Sequence, residues 1–162
     1  MRFITEQPTK TKNCVSQFLS SAQAKLLVNY ITKEVKWNKQ GGVKTQTYSK
    51  NQKFGSSYKA QEFPLWANMV AKKLYYEKMV DFFPGEVTVI EQDYNSKIEL
   101  GSILNDLSSI AEKSVVVVLK TFSGLGNPKI QPGSLMAPEF LVKTNKTDAR
   151  RGKMMAVLFK KN

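Results

Sequence analysis

At Pro84–Gly85 the hydrophobic period of the chain changes, and that change limits the folds open to it. Before the break two stretches carry helical spacing. "SSAQAKLLVNYITKEV" sets Leu26, Leu27, Tyr30 and Ile31 on one apolar stripe, and Ser20 precedes Gln23 at capping-box spacing. Gly41–Gly42 ends that stretch. "PLWANMVAKKLYYEKM" sets Trp66, Met69, Val70 and Leu74 on a common face, with Pro64 in its first turn. "RFIT" reads as a short opening strand and "VKTQTYS" as a strand between the helices. After the break come "EVTVIEQDY", "KSVVVVLKTF", "GSLMA", "EFLVK" and "MMAVLFKK", short β-type runs parted by turn signals such as "GLGNP" and "QPG". Helices first and strands afterwards is not the βαβ alternation of a parallel sheet. It predicts an α+β fold, an antiparallel sandwich or jelly roll with helices packed on one side. At 162 residues the chain reads as one domain, with a helical part over about 18–80 and a β-rich core over about 86–160. Leu27, Tyr30, Trp66, Val70, Val116, Val118, Leu135 and Val157 are its expected core.

The residue inventory excludes several chemistries. The chain has no histidine, so Ser-His-Asp and Cys-His catalysis cannot be assembled. Cys14 is the single cysteine, which rules out an internal disulfide and a thiolate metal cluster; among apolar neighbours it reads as a buried, inert thiol. "GLGNP" lacks the G-x-x-x-x-G-K-[ST] pattern of a phosphate-binding loop. Asp93, Glu99 and Asp106 match no magnesium loop. No apolar run approaches the ~20 residues needed to span a bilayer. "MRFITEQPTKTKN" lacks the apolar core of a signal peptide, so the expected location is intracellular, cytoplasmic or nuclear.

Charge points to a partner. The formal net charge is +12, and such a field attracts nucleic acid, anionic lipid or acidic protein. From 36 to 59 the chain holds Lys36, Lys39, Lys44, Lys50, Lys53 and Lys59 and no acid, with Trp37, Tyr48, Phe54 and Tyr58 among them. Lysines neutralise phosphates, and aromatic faces stack on unpaired bases at ~1–3 kcal/mol each. The plainer alternative is a solvated lysine-rich loop whose aromatics pack inward. "KTNKTDARRGK" adds Arg150, Arg151 and Lys153, either as a second wall of a basic groove or as an ordinary charged loop.

The order of elements also resembles a known family. "FLSSAQAKLLVNYITKEVKWNK", with Phe18 to Ser20 and Trp37, is similar to the opening helix of the AlkB-like dioxygenases, iron and 2-oxoglutarate enzymes that demethylate nucleic acids. "FPLWANMVAKKL" falls at that family's second helix. "VTVIEQDYNSKIELGSILND" falls on the strand and turn of its N-x-Y and H-x-D motifs, "IQPGSLM" on its P-G-S-L strand and "MMAVLFKK" on its last strand. The resemblance runs from about Phe18 to Lys160 and implies a double-stranded β-helix flanked by two N-terminal helices. It also implies that the segment between those helices forms part of a nucleic-acid lid. The departures matter as much. Gln92 takes the place of the N-x-Y asparagine, while Tyr94 is kept. Leu104 takes the place of the H-x-D histidine, with Asp106 at the aspartate. Met154 and Lys160 take the places of the last-strand arginines. A facial triad needs two imidazoles and a carboxylate, and methionine cannot hold the cosubstrate's carboxylate as arginine does. Read without the resemblance, Asp106 is a helix cap or turn residue before "LSSIAEK", and Tyr94 a core or pocket-wall tyrosine.

These readings predict an inactive AlkB-like domain that needs no cofactor and binds RNA or single-stranded DNA. The alternatives are a protein-interaction or scaffold module whose basic surface meets an acidic partner, and a non-iron enzyme using the same cleft.

Overall fold

The runs Ser114–Lys120, SVVVVLK, and Lys153–Lys160, KMMAVLFK, are apolar at every position between their ends. A strand with one wet face alternates, so continuous apolar runs of this kind need cover on both faces. In the computed structural model the two runs pair with each other in the middle of one sheet. The structure describes residues 9–10, 14–34, 38–40, 42–49, 63–94, 96, 101–104, 113–122, 131–144 and 152–161.

In chain order the elements are β1 (Thr9–Lys10), β2 (Cys14–Ser16), α1 (Ser21–Glu34), β3 (Asn38–Gln40), β4 (Val43–Ser49), α2 (Leu65–Tyr76) and β5 (Glu86–Asp93). A short helical stretch α3 (101–104) follows, then β6 (Ser114–Lys120), β7 (Leu135–Met136), α4 (Pro138–Thr144) and β8 (Lys153–Lys160). The eight strands form one sheet in the order β1-β2-β7-β6-β8-β5-β4-β3, with every neighbouring pair antiparallel. β8 lies between β5 and β6, pairing Gln92 with Met154 on one side and Val117 with Val157 on the other. A register shift between Val118 and Lys120 marks a bulge in β6.

Each face of the sheet carries its own apolar layer. Val87, Val89, Val117, Met155, Val157 and Phe159 meet α1 and α2, which contribute Ala24 and Ile31, and Trp66, Val70 and Leu74. Ile90, Val116, Val118, Met154, Ala156 and Leu158 meet Ile103 and Leu104 of α3 and Leu141 of α4. Alternate residues of the same strand thus enter different layers, which is why β6 and β8 have no polar interior position.

The capping box forms as expected: the Gln23 N–H donates to Ser20 Oγ at 3.1 Å, and the Ser20 N–H donates to Gln23 Oε1 at 2.9 Å. α2 ends in a Schellman motif, with the Met79 N–H donating to the Leu74 carbonyl and the Lys78 N–H to the Tyr75 carbonyl. Lys78 occupies its left-handed position at φ 60°, where glycine is usual. No helix among the described residues is long and apolar enough to cross a membrane.

Several expectations are corrected. "EFLVK" is helical, within α4, because Pro138 suits the first helical position and the Leu141 N–H closes a turn on the Ala137 carbonyl. The inward stripe of α1 is Ala24, Leu27, Val28 and Ile31, while Leu26 and Tyr30 face solvent. Met69 likewise points outward from α2. Trp66, Val70, Val116, Val118, Leu135 and Val157 are buried as expected, and Leu27 is half-buried. The second sheet that a double-stranded β-helix needs is not present among the described residues, where helices α3 and α4 cover that face instead. The opening strand expected at "RFIT" lies outside the described residues.

Candidate nucleic-acid interface

At one end of the sheet three chain segments converge. The Asp93 N–H donates to the Gly42 carbonyl at 2.9 Å, and the Tyr94 N–H donates to the Gly152 carbonyl at 2.9 Å. Gly42 adopts φ 82° here, a conformation that suits glycine, with Ser96 packed against it. β4, β5 and β8 bring Lys44, Glu91, Asp93 and Lys153 to this end. Lys44 Nζ lies 3.5 Å from Glu91, and Lys153 Nζ lies 3.6 Å from Glu91 and 3.9 Å from Asp93. Lys39 stands opposite Lys44 in the β3–β4 register. Tyr94 is half exposed beside them. The contacts are long and partly solvated, and pairs of this kind contribute ~0–1 kcal/mol. Lys44 keeps 29% and Lys153 44% of its side-chain surface in solvent.

Of the residues assigned to nucleic acid, the structure thus gathers Lys39, Lys44 and Lys153 at one sheet end. Lys36, Trp37, Lys50, Lys53, Phe54, Tyr58, Lys59, Arg150 and Arg151 lie outside the described residues, as does Asp106. Tyr48 is a correction. It is 5% exposed, and its ring meets the edge of Trp66 at 6.1 Å and 89° in the layer beneath α2, so it is closed to base stacking. The strand alternation of "VKTQTYS" was the available signal, since it sets Tyr48 on the α2 side. The aromatics that do face solvent are Tyr30, Tyr75, Tyr76 and Tyr94. Three of these sit on helices whose outward faces sequence reasoning had assigned to the core or passed over.

Three of the positions matched to a metal site, Gln92, Leu104 and Met154, also share one layer, which is apolar apart from the buried Gln92 amide. Gln92 and Met154 are register partners, each 1% exposed, on the face that α3 and α4 cover. Leu104, 2% exposed, enters the same layer with Leu141, Val43 and Ile90. Lys160 lies at the opposite end of β8 and joins its cross-strand partner Glu86 at 2.6 Å. The residues present do not fit iron or 2-oxoglutarate. Leucine and methionine stand where an imidazole and a guanidinium would be needed, and no group of metal-binding side chains occurs among the described residues. The purified protein is expected to hold no stoichiometric iron and to consume no 2-oxoglutarate. Metal analysis that found one tightly held iron per chain would overturn this.

An open cleft of about 780 Å³ lies elsewhere, lined by Lys78, Asp81, Phe82, Lys113, Pro138 and Glu139 among others. It contains none of the positions assigned from sequence. Lys113 Nζ donates to Asp81 at 2.5 Å, and that hydrogen bond holds the Asp81 carboxyl below the usual carboxylate range.

The wider charge pattern is uneven. Glu77, Asp81, Glu86, Glu91 and Asp93 are each within ion-pair distance of a lysine. Lys25, Lys33, Lys72, Lys78 and Lys120 are exposed and make no ion pair among the described residues. Comparison of the chain with protein-family models and with curated proteins finds no match.

Proposed function

We propose that this chain is a catalytically inactive AlkB-like domain that binds RNA or single-stranded DNA. The observation that carries the binding is the charge pattern. Nearly every carboxylate of the described surface is already engaged by a lysine, so the excess of +12 is carried by cations that carboxylates do not neutralise. The sheet end adds Lys44 and Lys153, whose pairs with Glu91 and Asp93 are long, beside the half-exposed Tyr94, and Lys39 stands opposite Lys44 in the strand register. Arg150 and Arg151 stand immediately before Gly152 in the chain, and Lys36 and Trp37 immediately before β3.

Two features support the family reading. Rolling a long antiparallel hairpin over itself leaves its first strand beside its last. The order β5-β8-β6-β7 likewise sets the first and last strands of the strand-rich half side by side, here within the single sheet described above. In addition, Gln92, Leu104 and Met154, matched to one site on sequence alone, meet on one side of the sheet. The surroundings favour binding over chemistry: Gln92 is the one polar side chain of the three, and Leu104, Leu141 and Met154 fill the space beside it.

Binding to a labelled single-stranded oligonucleotide, RNA and DNA in turn, tests the proposal across a salt series. The expected result is a steep fall in affinity with salt. Replacing Arg150, Arg151 and Lys153 together should weaken binding to all sequences and flatten the salt slope by about one per lost phosphate contact. Tyr94→Ala should cost ~1–3 kcal/mol of affinity with the slope little changed. No detectable binding to either polymer at low salt would end this reading.

A further inference from the structure

α2 is apolar on two opposite faces. Trp66, Ala67, Val70, Ala71 and Leu74 face the sheet and are buried. On the opposite side Leu65, Met69, Lys72 and Tyr76 follow one another at spacings of four, three and four residues, which stacks them in a single line along the helix. Leu65 is 72% exposed, Met69 64% and Tyr76 71%, and Lys72 is exposed between them. A surface helix normally sets polar residues against its apolar face, and a helix apolar on both sides is normally covered on both. Leu65 to Tyr76 spans about 16 Å, some three helical turns.

The charges around this line say what would cover it. α2 contains no acidic residue; Lys72 lies in the line, Lys73 flanks it, and Lys78 follows its end. The nearest following acid, Glu77, is held by Lys73 at 2.6 Å. On the same side of the sheet α1 turns Leu26 and Tyr30 outward, with Lys25 and Lys33 exposed on the same helix. A second copy of a chain with net charge +12 would be repelled. A nucleic acid would leave the aliphatic side chains of Leu65 and Met69 without a suitable contact.

We propose that the outward line of α2 docks an acidic amphipathic helix of a partner protein, whose apolar face covers Leu65, Met69 and Tyr76 and whose carboxylates meet Lys72 and the neighbouring lysines. This is the helix-against-helix mode in which anchors recur at one-turn spacing and flanking charge sets orientation. The surface is separate from the sheet end proposed for nucleic acid and does not depend on it.

A synthetic 18-residue peptide tests this, with leucine at one-turn spacing and glutamate elsewhere, labelled for fluorescence anisotropy. Its controls are a scrambled peptide of the same composition, polyglutamate, and vesicles of mixed neutral and anionic lipid. The full chain should bind the amphipathic peptide about tenfold more tightly than the scrambled one. Met69→Ser together with Leu65→Ser should remove that advantage while leaving oligonucleotide affinity unchanged, and a melting curve should confirm that the variant is folded. Equal binding of amphipathic, scrambled and polyglutamate chains would reduce the surface to charge alone and overturn the proposal. Capture by anionic vesicles without preference for the peptide would assign the line to a membrane surface and overturn it equally. Loss of self-association in the folded double variant, with no peptide preference in the parent, would make it a contact between copies, with the same consequence.

Discussion

Gly133→Ala should remove a large part of the protein's stability, although it adds a single methyl group. Gly133 has φ 93°, a backbone conformation that alanine adopts only at a cost. A Cβ built there would stand 2.0 Å from the Leu19 carbonyl oxygen and 2.8 Å from the Leu19 carbonyl carbon. Both are backbone atoms, so no side-chain rotation relieves the overlap. The strand end and the segment leading into α1 would have to separate, and the hydrogen bond from the Leu19 N–H to the Gly133 carbonyl, 3.0 Å long, would go with them. The combined cost is about 3 kcal/mol or more, against a typical domain stability of ~5–15 kcal/mol. Gly42→Ala supplies the comparison. Gly42 also has positive φ, at 82°, but its Cβ would meet only Ser96 at 3.3 Å, so its cost should stay near ~1 kcal/mol. Denaturant titration of the two variants reads the difference directly. Equal losses would mean that the close approach of Gly133 to Leu19 does not exist.

Val118→Asp should prevent folding altogether. Val118 is fully buried in the layer beneath α3 and α4, beside Val116, Met154 and Ala156. Both of its backbone groups are committed to one neighbouring segment: the Val118 N–H donates to the Ser134 carbonyl at 2.9 Å, and the Val118 carbonyl accepts from the Gly133 N–H at 2.7 Å. The strand therefore has no room to turn the new side chain outward. Ser134, the nearest polar neighbour through this pairing, has its hydroxyl buried without a hydrogen-bond partner among the described residues. No cation of the described residues packs in this layer, and an unpaired buried carboxylate costs several kcal/mol. Val118→Ala, by contrast, leaves a small void and should fold with a loss of ~1–3 kcal/mol. A Val118→Asp protein that remains in solution and melts cooperatively would show that the strand does not run where it is placed here.

Four long strands and two helices were legible from the sequence because each announces itself locally. "VKTQTYS", "EVTVIEQDY", "KSVVVVLKTF" and "MMAVLFKK" coincide closely with β4, β5, β6 and β8, and Ser20 with Gln23 marks the start of α1. Facing direction was harder to read. On α1 the set Ala24, Leu27, Val28 and Ile31 and the set Leu26, Leu27, Tyr30 and Ile31 satisfy helical spacing equally well. Only the sheet beneath decides that Tyr30 faces water. "EFLVK" carries β-type residues, yet Pro138 and the apolar face it must cover make it a helix. The candidate interface was legible as charge and not as geometry. Tyr48 went inward because strand period outranks lysine-rich surroundings, whereas Lys44 and Lys153 reach the same sheet end through pairings far apart in sequence. Gln92 and Met154 share a face as register partners, and the burial of Leu104 beside them depends on the packing of residues 101–104 against the sheet, which no local pattern in the sequence shows.

The position of β8 has a consequence for how the chain reaches this state. The last strand in sequence is wedged between β5 and β6, so each of these has only its other neighbour, β4 or β7, until residues 153–160 have been synthesised. Until then two largely apolar strands present open hydrogen-bonding edges, the arrangement most prone to pairing with another nascent chain. Closure of the sheet accordingly waits on the synthesis of β8. Synthesis at high density would favour clumping of the growing chains through β5 and β6, and a stop codon shortly before residue 153 would leave a product with two permanent sticky edges.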